Sequence, residues 1–82
     1  MNKDEIFTKV EDIFKDLLDD EGFSLSEEDS AKTVHEWDSL FHITLIASIE
    51  EEFSIRLSTA DVANAKDIGA LIGLIEKELN KA

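Results

Sequence analysis

Residues 37–53 read Trp37-Asp38-Ser39-Leu40 followed by FHITLIASIEEEF, and the spacing of this stretch decides the fold. At about 100° per residue, His42, Ile43, Leu45, Ile46, Ile49 and Phe53 fall on one arc, which is expected to face a core. Leu40, Thr44, Ala47 and Glu51 fall on a second stripe, with Phe41, Ser48 and Glu52 further round. This placing leaves two large apolar groups, Leu40 and Phe41, accessible beside Ser39. The helix is predicted to run from about Ser39 to Phe53, with Asp38 or Ser39 as its N-cap, because a short oxygen-bearing side chain there accepts a hydrogen bond from an unpaired backbone N–H.

Upstream, Ile6, Phe7, Val10, Ile13, Phe14, Leu17 and Leu18 recur at spacings of three and four, so residues 3–18 are predicted to form an amphipathic helix. Asp19, Asp20, Glu21 and Gly22 end it. Acidic groups are unfavourable at a helix C-terminus, and glycine tolerates the left-handed turn. Between Gly22 and Trp37, the apolar residues Phe23, Leu25, Val34 and Trp37 have no sustained period, while Ser24, Ser26, Ser30 and Thr33 favour turns. Such a long connection is uncommon. Its scattered apolar residues suggest a lid packed on a helical bundle.

Downstream, Ile55 and Leu57 alternate with polar neighbours over too few residues for a sheet. Ser58 or Thr59 is expected to cap a short helix through Ala63. A last helix, Asp67 to Leu79, carries Ile68, Leu71, Ile72, Ile75 and Leu79 on one face, with Lys77 and Lys81 near the end that favours cations. The expected fold class is therefore all-α, a small four-helix bundle with three longer helices, one short helix and a long first loop. With 82 residues and 43% apolar content, residues 1–82 fit a single domain with its own core.

The net charge of −12, from 20 acidic and 8 basic residues, repels phosphate backbones and anionic lipid, which argues against nucleic acid as a partner and favours basic protein surfaces. With no cysteine, neither a disulfide nor a thiolate metal site supplements the core. No apolar run approaches the roughly 20 residues of a membrane span, so membrane insertion is not expected. Met1 to Glu5 lack the basic and apolar regions of a signal peptide, and a cytoplasmic location is expected by default.

Asp38-Ser39-Leu40 at the start of a helix that ends in Glu50-Glu51-Glu52-Phe53 resembles the phosphopantetheine attachment region of acyl carrier proteins. The resemblance extends along most of the chain, from the first helix and long loop to the Ile55/Leu57 turn, the short helix and the amphipathic last helix. It implies a non-catalytic carrier that holds acyl intermediates as thioesters on a phosphopantetheine arm at Ser39, with Asp38 helping to present the serine. The arm would come from coenzyme A through a separate, magnesium-dependent phosphopantetheinyl transferase. Acyl-loading, acyltransferase or synthase enzymes with basic surfaces are the further partners implied, meeting Leu40, Phe41, Ala47, Glu50 and Glu51 on a monomeric carrier. Independently of the resemblance, a phosphodiester at Ser39 would meet unpaired N–H groups and the positive end of the helix dipole.

Other functions compete for the same residues. As a plain N-cap, Ser39 would need no further role. A serine hydrolase would pair Ser39 with His42 or His35, but one turn of a small bundle gives little enclosure for such chemistry. His42 is instead expected to be a packed histidine with a hydrogen-bond partner, and His35 a loop residue. Asp19, Glu21, Gly22 and Glu28 match part of a calcium-binding loop, yet Leu17 occupies its first ligand position, so no metal site is expected. A cofactor-free acidic adaptor would use Leu40 and Phe41 as anchors.

Phe41 and Thr44 occupy positions that are often acidic in carriers of fatty acid synthesis. Trp37 and His42 are similar to residues of stand-alone carriers used outside that pathway. These differences point to a specialised lipid or polyketide-type pathway, the alternative being housekeeping fatty acid synthesis.

Overall fold

The computed structural model describes residues 1–81, and its elements are α1 (Lys3–Leu18), α2 (Ser39–Phe53), α3 (Thr59–Asn64) and α4 (Ile68–Leu79). Three longer helices and one short one form the expected bundle. No helix among the described residues is long and apolar enough to cross a membrane.

Each helix begins at a side chain suited to its N-terminus. On α1, Asn2 Oδ1 accepts the Glu5 N–H at 2.9 Å while the Glu5 carboxylate accepts the Asn2 N–H at 3.1 Å, a reciprocal box that satisfies two donors. Asp38, Ser58 and Asp67 cap α2, α3 and α4 in turn. The end of α1 differs from expectation. Asp19, not Gly22, takes the left-handed conformation, with φ 52°. The chain turns immediately after Leu18, and an aspartate is among the few residues with a side chain that tolerate that region.

The core is built where α1 packs against α2 and α4, and α3 packs on α4. Ile6, Val10 and Phe14 of α1 meet Leu45 and Ile49 of α2 and Ile68, Leu71, Ile72 and Ile75 of α4, all buried. The long first loop closes over this core, as its composition suggested, with Leu25 and Val34 buried and Phe23 and Trp37 packed at the edge. Polar bonds pin it as well. Glu11 accepts the Leu25 N–H at 2.8 Å, and the first N–H groups of α4, those of Ile68 and Gly69, donate to the carbonyls of Asp29 and Glu27 at 2.9 and 2.8 Å. The loop thus satisfies donors that every helix start leaves unpaired.

The orientation of α2 corrects the sequence-based arc. Leu45, Ile49 and Phe53 are buried as expected, but Ile43 is 67% exposed, and Phe41, expected outside, is half-buried. Phe14 explains the rotation. Its ring stacks on Phe23 (5.8 Å), takes Trp37 edge-on (5.4 Å) and meets Phe41 at 5.5 Å, so α2 turns the Phe41 ring into an aromatic cluster and releases the smaller Ile43.

Candidate functional site

Ser39 is the first residue of α2 and is exposed. Asp38 precedes it in extended conformation and commits its carboxylate to the Phe41 N–H at 2.8 Å, while its carbonyl accepts the His42 N–H at 2.9 Å. Asp38 therefore resolves the choice of N-cap, and the Ser39 hydroxyl has no capping duty. Among the described residues, nothing accepts from the N–H groups of Ser39 and Leu40. These donors sit at the positive end of a helix, beside an uncommitted hydroxyl.

His42 lies one turn further along. Its Nδ1 accepts a hydrogen bond from the indole Nε1–H of Trp37 at 3.0 Å, and the two rings are nearly parallel with centroids 6.0 Å apart. The packed, bonded histidine is thus present, with a partner whose identity no helical period reveals, because Trp37 lies before the helix. No hydrogen bond joins Ser39 to His42 or His35 among the described residues, and His35 is exposed in the loop. The base–nucleophile contact of a serine hydrolase is therefore not formed. Among the described residues, no three acidic or histidine side chains are placed to hold a metal ion.

The outer face of α2 presents Leu40 (74% exposed), Ile43, Thr44, Ala47 and Glu51 to solvent. Leu40, Ala47 and Glu51 stand where the sequence placed them, Phe41 does not, and Ile43 was missed. Its exposure is invisible in the helix alone, since Phe41 and Ile43 lie at opposite borders of the apolar arc. Glu50 is only half-exposed and accepts the Leu57 N–H at 2.8 Å, so it ties down the chain after α2. Glu52 faces Lys9 of α1 at 3.5 Å, an exposed pair of little energetic weight.

Two recesses flank this face. One of about 490 Å³ lies beside Ser39, lined by Ala31, Trp37, Asp38, Ser39, His42 and Ile43. The other, a groove of about 600 Å³ between α2 and α3, has an apolar wall that includes Ile43, Ile46, Leu57 and Val62.

A curated relative, the acyl carrier protein of Thermotoga maritima, is 31% identical over 80 residues, which cover 95% of this chain and 96% of the relative. The chain belongs to the acyl carrier protein family. The solution structure of a holo acyl carrier protein from Geobacter metallireducens superposes with a TM-score of 0.81 at 33% identity, covering 88% of this carrier and 83% of that chain. No family model matches the sequence. Membership makes this a non-catalytic carrier whose cofactor is covalent phosphopantetheine. The carrier's exposed serine, unpaired N–H groups and adjoining recess fit such a group, which supplies the thiol that a chain without cysteine lacks.

Proposed function

We propose that residues 1–82 act as one carrier domain that holds acyl groups as thioesters on phosphopantetheine at Ser39. The observation that carries this reading is the exposed Ser39 hydroxyl at the start of α2, free of the capping role that Asp38 fills. The N–H groups of Ser39 and Leu40 favour an anion there. A phosphopantetheinyl transferase would join Ser39 Oγ to the pantetheine-bearing phosphorus of coenzyme A as the pyrophosphate P–O bond breaks, 3′,5′-adenosine bisphosphate leaving and the serine proton passing to the transferase's general base. Incubation with coenzyme A, magnesium and a broad-specificity transferase is expected to add the mass of one arm, located at Ser39 by peptide mapping. A chain left unmodified by several such transferases would favour the cofactor-free adaptor.

An aliphatic cargo suits the α2–α3 groove. Between α2 and α4, Ile49, Ile68, Leu71 and Ile72 are all buried in the core, whereas the open volume is lined by Ile46 together with Leu57 and Val62. Each methylene removed from water contributes up to about 0.8 kcal/mol, so loading a medium-length acyl chain is expected to raise the melting temperature and shift the signals of Ile46 and Val62. Unchanged stability and unchanged signals would leave the chain in solvent.

The outer face of α2 also favours a dedicated lipid or polyketide-type pathway over bulk fatty acid synthesis. Leu40, Ile43, Thr44 and Ala47 offer no charge, and Glu51 stands exposed at the far end to attract basic partners. A generic elongation enzyme that pairs a lysine or arginine with a carboxylate near the serine would lose that pairing here. The holo protein is expected to be a poor substrate for elongation enzymes, with Thr44→Glu improving it and Glu51→Lys slowing its own partners most at low salt. Phe41, packed on Phe14, is unsuited to a charge swap. Efficient elongation by the unaltered holo protein would return it to housekeeping synthesis.

A further inference from the structure

The Trp37–His42 pair has a consequence for the recess beside Ser39. An indole N–H can only donate, so the His42 Nδ1 that receives it at 3.0 Å must be the bare nitrogen of a neutral imidazole, and the ring proton resides on Nε2. No described residue bonds Nε2, and no side-chain nitrogen or oxygen among the described residues is buried without a partner, so this N–H reaches solvent. Helical side chains lean towards the N-terminus, and residues three apart are neighbours, which tilts the imidazole towards the turn that begins at Ser39. Around it, Ala31, Trp37 and Ile43 give the recess of about 490 Å³ apolar walls. Asp38, its charged lining residue, already has a carboxylate oxygen bonded to the Phe41 N–H.

We infer that this recess is a binding site for the root of the phosphopantetheine arm, with the two methyl groups of the pantoyl unit against Trp37, Ile43 and Ala31 and the His42 Nε2–H donating to a phosphodiester oxygen. The inference rests on Ser39 carrying the arm. The chemistry matches segment by segment: the phosphodiester lies nearest the serine, where the donors are, and the branched apolar carbon follows it, where the apolar walls are. Trp37 acts twice, as a wall and as the group that sets the His42 tautomer. Loop and helix thereby restrain the first part of the arm, while its thiol end remains free to reach partners.

The test uses full-length holo protein carrying an arm labelled with carbon-13 in the pantoyl methyl groups, after peptide mapping has located the arm on Ser39. The methyl signals are expected to move upfield of those in free phosphopantetheine, under the ring current of Trp37, and to show nuclear Overhauser contacts to its indole protons. Nitrogen-15 spectra are expected to show His42 Nδ1 unprotonated and Nε2 protonated, with Nε2 shifting on arm attachment. His42→Phe keeps an aromatic ring but removes the donor, and should return the methyl signals most of the way to their free positions. Trp37→Phe should release the His42 tautomer. Methyl signals at their free positions with no contact to Trp37, in protein whose arm is mapped to Ser39, overturn the site while leaving the carrier function intact. Full retention of the shifted signals in His42→Phe overturns the role of the imidazole. An arm absent from Ser39 overturns the function itself, and the site with it.

Discussion

Phe14→Ala is expected to destabilise the protein by about 3–5 kcal/mol, the range for deleting a fully buried aromatic ring. Phe14 is 0% exposed and touches Phe23, Trp37 and Phe41, so one ring joins α1 to both ends of the long loop and to the first turn of α2. At roughly 0.05–0.15 kcal/mol per residue, a chain of this size has about 4–12 kcal/mol in all. The variant would therefore lose a quarter or more of its stability. With a shift of about 4 °C or more per kcal/mol in small domains, the melting temperature should fall by at least about 12 °C. Phe23→Ala should cost less, because Phe23 is only partly buried and flanks the cluster. A fall of a few degrees for Phe14→Ala, measured by thermal unfolding, would mean that the cluster collapses around the gap and does not hold the loop.

The second large effect separates function from fold. Ser39→Ala is expected to abolish arm attachment completely, under conditions that convert the wild type in full, while changing stability by no more than about 0.5 kcal/mol, as for other exposed substitutions. The N-cap explains the asymmetry: Asp38 accepts the Phe41 N–H at 2.8 Å, so α2 keeps its start when the serine hydroxyl is removed. Asp38→Ala supplies the converse, a loss of about 0.5–2 kcal/mol in a protein that keeps its acceptor hydroxyl. Intact mass spectrometry after transferase treatment, with thermal unfolding of the same samples, measures both. An Ser39→Ala protein that still gained the mass of the arm would remove Ser39 from its role.

The four helices and their limits were legible in residue spacing and in caps. Threefold and fourfold recurrence in α1 and α4 gives a single buried stripe, and an aspartate, asparagine or serine stands before each helix because the first N–H groups need an acceptor. Ser39 was likewise visible, since its local sequence places a hydroxyl at a helix start. These properties depend on neighbours within one or two turns, and the sequence by itself determined them. Tertiary packing decided the rest. The rotation of α2 depends on Phe14, 27 positions before Phe41, because an apolar arc too wide to bury entirely does not specify which border turns inward. The Trp37–His42 bond joins a loop to a helix, Glu50 is drawn to the Leu57 N–H after the chain reverses, and the loop carbonyls of Glu27 and Asp29 reach the start of α4. None of these contacts has a period along the chain. Each arises because unpaired polar groups and large apolar rings find their partners only when separate elements meet, and that meeting makes the face around Ser39.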